Sequence, residues 1–167
     1  MQWSLLYSLA ILSTTTTAAQ TGLGSRYNDP SCAYACRASI SSAPLACSGR
    51  GHGGSHSHGA PPTSPECRSE DTPFLTTLAY CLSTHCQDVP LWRLEEFWAL
   101  QVTGSPAVPA KWTYSAARDQ VATSPDKTYV PATELNYTAL VNSKTFGVQQ
   151  KFILVLEKMT SIQNIYT

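Results

Sequence analysis

The chain has 167 residues, 43% of them hydrophobic and 13% charged, and its 11 basic and 11 acidic side chains cancel to a formal net charge of zero. That length suits one domain with enough apolar residues for a core. A balanced charge gives no electrostatic footprint for nucleic acid or for an anionic membrane surface, so nucleic-acid binding is set aside.

Residues 1–19 have the pattern of a secretory signal. The apolar stretch WSLLYSLAIL, residues 3–12, has the length of an h-region, and a threonine run with small residues follows. Thr17 and Ala19 fit the small −3 and −1 positions, which places cleavage before Gln20. A buried helix start or an uncleaved anchor is the alternative, although the stretch is too short to span a bilayer comfortably. On the first reading, the mature chain is secreted.

After a polar lead over residues 20–28, Asp29-Pro30 marks a helix start, with Asp29 as N-cap and a helix reaching Ile40. Cys32 and Cys36, four apart, share one face of it. Residues 41–65 break the pattern with four prolines, and within them residues 49–59 read GRGHGGSHSHG, a flexible His/Gly-rich loop. Arg68, Glu70 and Asp71 read as a solvated approach to the next helix. That helix, residues 72–86, is the organising element: Thr72 is its expected N-cap and Pro73 tolerates the first turn. Phe74, Leu75, Leu78, Cys81 and Leu82 form its apolar face.

Asp88-Val89-Pro90 opens another helix, with Leu91, Leu94, Phe97, Trp98 and Val102 on one side and Gly104 at its end. Residues 112–121 read as a short helix capped by Thr113 or Ser115, and residues 124–133 as a loop or extended stretch. Asn136-Tyr137-Thr138 is an N-glycosylation sequon. In the tail, Phe152, Leu156, Met159 and Ile162 recur at near-helical spacing, but no window after residue 19 is apolar enough for a transmembrane helix. The expected fold is all-α: a small disulfide-stapled domain of about four helices with long loops over residues 20–141, followed by a tail, 142–167.

Six cysteines in an exported chain imply disulfides. No C-x2-C pair is present, so neither a zinc knuckle nor a thioredoxin-like redox motif is supported. If the two cysteine-bearing helices are antiparallel, the pairs are nested, Cys32–Cys86 and Cys36–Cys81, with Cys47–Cys67 closing the histidine loop. Parallel helices give Cys32–Cys81 and Cys36–Cys86 instead.

His52, His56 and His58 form an H-x3-H-x-H pattern able to bind copper, nickel, zinc or ferric iron. Against a preformed site stand the five glycines of residues 49–59, which deny the loop rigidity. His85, near a helix C-terminus, is placed to satisfy carbonyls or the helix dipole. Trp92, Trp98, Trp112 and Tyr114 are expected to fill the core and its interfaces. Glu95, Glu96 and Asp119 show no paired-carboxylate spacing, and no catalytic residue is assigned.

Taken in order, Cys32-Ala-Tyr-Ala-Cys36-Arg37, Ser64-Pro65-Glu66-Cys67, Thr77-Leu-Ala-Tyr-Cys81, Leu94-Glu-Glu-Phe-Trp98, Lys111-Trp112-Thr-Tyr114 and Leu135-Asn136-Tyr137-Thr138 resemble the N-terminal extracellular domain of fungal ferric-chelate reductases. The resemblance covers roughly residues 27–141. It implies a plasma-membrane protein with this cysteine-rich domain outside, membrane helices holding two haems through paired histidines, and cytosolic FAD- and NADPH-binding domains. Electrons would cross the membrane to reduce ferric or cupric chelates. The chain stops at Thr167, where the family approaches its first membrane helix, so a truncated form is expected. No haem, FAD or NADPH site is read in this chain, and the expected role is an accessory domain inactive alone. The alternative is a secreted, disulfide-rich protein that binds metal or a partner through its histidine loop.

Overall fold

The computed structural model describes residues 29–49 and 63–163. The signal-like residues 1–19 and the histidines His52, His56 and His58 lie outside the described residues. Among the described residues six helices follow in order: α1 (Ser31–Ile40), α2 (Pro65–Glu70), α3 (Thr72–His85), α4 (Leu91–Gln101), α5 (Tyr114–Asp119) and α6 (Ser143–Gln163). The domain is all-α and disulfide-stapled. Among the described residues its only β pairing is an isolated bridge between Thr128 and Leu140.

Helix α3 is the hub. Phe74, Leu75, Thr76, Thr77, Leu78, Ala79, Cys81 and Leu82 are all buried, so it is covered on most of its circumference rather than on one stripe. Helices α1, α2 and α5 pack on it, α4 reaches it through α5, and α6 lies against α1. Disulfides join Cys32 to Cys86, Cys36 to Cys81 and Cys47 to Cys67. The first two are nested, so α1 and α3 run antiparallel.

Helix starts depart from expectation by one residue. Asp71, not Thr72, caps α3: its carboxylate accepts from the Phe74 N–H at 2.8 Å. An anionic acceptor at the positive end of a helix outcompetes a hydroxyl one residue later. Thr72 is itself helical, and its hydroxyl accepts from Lys111 Nζ. Likewise Asp29 makes no side-chain cap for α1. It forms an ion pair with Arg93 of α4 instead. Helix α2 arises inside what reads as loop and approach. Ser64 accepts from the Cys67 N–H at 3.2 Å and Pro65 occupies the first turn, an N-terminal signature masked by its proline-rich surroundings.

Helix α4 buries Leu94, Phe97 and Trp98, but Leu91 is 52% exposed, so the apolar face begins a turn later than its spacing suggests. Helix α5 is capped by Thr113, which accepts from the Ala116 N–H. The segment between α5 and α6 is a strap across α3. Its buried Ala139 N–H donates to the Thr77 hydroxyl at 2.9 Å, and the Thr138 and Thr76 hydroxyls lie 2.8 Å apart. In α6 the face turned to the domain carries Phe146 and Ile153, whereas Phe152, Leu156, Met159 and Ile162 lie on the outward side. The helix has two apolar stripes, and periodicity alone does not say which one packs.

Two outcomes follow from this burial. Thr77→Val keeps the shape of the side chain but strands the Ala139 N–H, and should lower unfolding free energy by about 1–3 kcal/mol in urea titrations. In graded reduction followed by alkylation mapping, Cys47–Cys67 should open first. Cys47 is only partly buried, while Cys36 and Cys81 are 0% and 2% exposed.

Candidate functional site

The last turns of α3 and the first turn of α6 enclose an open cavity of about 440 Å3. Tyr80, Thr84 and His85 line it from α3, and Asn142, Ser143 and Lys144 from the start of α6. The position of each group follows from the local chain. Asn142 Oδ1 accepts from the Lys144 and Thr145 N–H groups at 2.9 and 3.3 Å, which caps α6 and fixes where Lys144 emerges. The Tyr80 hydroxyl lies 2.7 Å from that of Ser124, and the Thr84 hydroxyl donates to the Tyr80 carbonyl.

His85 does not hydrogen-bond the end of its helix. Its ring stacks on Phe146 at a centroid distance of 3.9 Å and an interplanar angle of 17°. Burial against that ring lowers the imidazole pKa below its ordinary value. A neutral imidazole and a lysine ammonium at the rim can orient a small polar molecule. The Tyr80 and Thr84 hydroxyls beside them are engaged within the fold.

The remaining sequence candidates are spread over the domain. Asn136 is exposed, on a loop whose Thr138 hydroxyl is engaged with Thr76. Trp98 and Tyr114 are buried and Trp112 is partly so, with the Trp98 indole donating to the Trp112 carbonyl at 2.7 Å. Trp92 departs from the expected core role: it is 65% exposed, because α4 turns it away from Leu94 and Phe97. Among the described residues, no group of three or more His, Cys, Asp or Glu is arranged to hold a metal ion.

One structural carboxylate was not legible from spacing. Glu95 of α4 accepts from the Tyr114 N–H at 3.0 Å, the Ser115 N–H at 2.9 Å and the Ser115 hydroxyl at 2.6 Å. It ties α4 to the start of α5 across nineteen residues of chain. Nothing local in the sequence signals such a contact. Lys111 plays a matching part: its backbone N–H donates to the Ser69 carbonyl, and its ammonium to the Glu70 carbonyl and the Thr72 hydroxyl.

No family profile, curated protein or solved structure matches the chain. Among the described residues, no helix is long and apolar enough to cross a membrane. Three disulfides are what a protein of an oxidising, extracellular compartment carries.

The His85 environment sets a pH dependence. Because its folded pKa lies below 6.5, the unfolded chain takes up a proton that the folded chain resists as pH falls through that value. Stability contributed by neutral His85 is therefore present at higher pH and lost on acidification. Urea midpoints at pH 7.5 and 5.5 should differ in the native chain, and the difference should shrink in His85→Leu. An equal difference in both would assign the acid sensitivity to other groups.

Proposed function

We propose that the chain is an extracellular accessory domain of a ferric-chelate reductase system, positioned outside the membrane by its secretory signal and glycosylated at Asn136. The observation that carries this reading is where the ordered motif residues fall. Cys32, Cys36, Cys67 and Cys81 are in the staples. Glu95 and Trp98 join α4 to residues 112–115, and Lys111 joins that segment to the junction of α2 and α3. Leu135 is fully buried in the strap over α3. That the residues carrying the resemblance sit at the joints of this fold supports reading the chain as a structural module of that kind.

The same placement argues that these residues hold a shape and do not carry electrons. Haem, FAD and NADPH chemistry belongs to other parts of such a reductase, and ferric or cupric chelates are its substrates. The purified chain with NADPH and a ferric chelate should give no protein-dependent ferrous signal, and its spectrum should show no haem band. A protein-dependent ferrous signal would overturn the accessory role.

A second reading, a secreted metal-binding protein, is favoured by the Cys47–Cys67 bridge, which anchors both ends of the segment bearing His52, His56 and His58. Tethering limits the loop entropy lost when three imidazoles converge on one ion. On this reading a Cu(II) binding isotherm weakens when all three histidines are replaced by alanine. An isotherm that does not change would remove the loop from consideration.

A further inference from the structure

The C-terminal end of α4 is held by two arginines from different helices. Arg37 of α1 donates its Nε–H to the Val102 carbonyl at 3.3 Å. Arg68 of α2 donates from a terminal nitrogen to the Thr103 carbonyl at 3.1 Å. The two guanidiniums converge on Gly104, which is exposed and has φ +93°. A Cβ at that position would sit 2.8 Å from one Arg37 nitrogen and 3.3 Å from one Arg68 nitrogen. The glycine thus serves both a left-handed turn and the space in which the two forks meet.

This pairing is electrostatically unfavourable. Both side chains are partly buried, and burial and the charge of Arg68 both disfavour the cationic form of Arg37. A guanidinium nevertheless stays charged in a protein. The chain has 11 acidic side chains, and every one lies within the described residues. The ion pairs they form with described residues are Asp29 with Arg93 and Asp119 with Arg118. No Asp or Glu side chain of the protein is therefore in ion-pair reach of Arg37 or Arg68. The C-terminal dipole of α4 offers about half a negative charge, which leaves about one and a half positive charges at the site. Each carbonyl contact also uses only one of the five N–H donors of a guanidinium.

We propose that Arg37 and Arg68, meeting over Gly104, form a binding site for a small multivalent oxyanion, a phosphate or polycarboxylate group. Two planar forks from separate helices match such an anion bidentately, and a side-chain-free surface at residue 104 admits it. The bound charge would neutralise what the fold leaves unbalanced. The site stands independently of the accessory-domain reading.

The test uses the full mature chain titrated with inorganic phosphate and with malonate, at ionic strength held constant by NaCl. A ligand that binds the folded state raises Tm by mass action. Phosphate, malonate or both should raise Tm where NaCl does not, and the one that does so identifies the anion class. Arg37→Gln and Arg68→Gln should each weaken the apparent affinity by about tenfold or more, as expected for loss of a charge-assisted pair of hydrogen bonds. Arg37→Lys and Arg68→Lys keep the charge and a donor for the carbonyl, so they hold the fold while losing the fork. They should show an intermediate loss. In the unaltered chain, phosphate or malonate should also protect Arg37 and Arg68 from phenylglyoxal. If the arginines only cap α4, the variants melt lower yet shift with anion as the native chain does, and the proposal fails. Absence of both a Tm response and protection in the native chain overturns it as well.

Discussion

The pair of nested disulfides between α1 and α3 is the constraint on which the rest of the domain depends. Cys32–Cys86 and Cys36–Cys81 span 54 and 45 residues of sequence, so closing them removes most of the freedom of the unfolded chain between residues 32 and 86. In the chain-entropy account each such bridge contributes on the order of 3–4 kcal/mol. Two bridges four residues apart on one helix also fix its rotation, because both cysteines must face α3 at once. Ala33, Ala35 and Ile40 of α1 are buried between the elements that pack on it, α3 and α6, and Leu75, Leu78 and Leu82 of the hub are buried as well. Small residues on α1 permit the close approach that the bridges require.

With α1 and α3 locked, α6 packs along α1 and α5 on α3, and polar struts fasten the connectors between the helices. The long connectors have no sheet to absorb their backbone groups, so side chains do it: Glu95 for the start of α5, Lys111 for the end of α2, Thr77 for the strap. Hydrogen bonds to charged groups contribute about 1.5–3 kcal/mol each, so the part-buried Glu95 strut is the strongest of these. They also explain the shape of the domain. Six helices, two of them six residues long, would not find unique positions from apolar contact alone.

What the sequence made legible follows the same division. Periodicity located α3 and α4, since an apolar repeat of three and four is a local property of the chain, while a start signal at Asp29-Pro30 located α1 and a candidate cap located α5. Cap identity was displaced at Thr72 and Asp29, because the competition between neighbouring acceptors is settled by partners elsewhere, Lys111 in one case and Arg93 in the other. Helix α2 was hidden by proline composition although Ser64 and Pro65 form a sound start. In α6 two apolar stripes compete, and the choice of Phe146 and Ile153 over Phe152 and Met159 depends on α1, which no window of local sequence contains. His85 and Glu95 were visible as residues but not as contacts. The stacking of one on Phe146 and the reach of the other to Ser115 are tertiary facts.

A formal charge of zero conceals how unevenly that charge is used. Asp71 and Glu95 are spent on helix N-termini, and Asp29 on tying the start of α1 to Arg93 of α4, so these three acids serve the scaffold. The arginines at positions 37 and 68 follow a bridged cysteine in each case, Cys36 and Cys67, and so are aimed by the disulfide framework itself. Net charge reports on long-range fields. It is silent on a local excess of one sign over a few ångströms. Beside a bridged cysteine, where a side chain is positioned by a covalent bond as well as by the core, such an excess can be held without unfolding the protein, and recognition chemistry is sought there first.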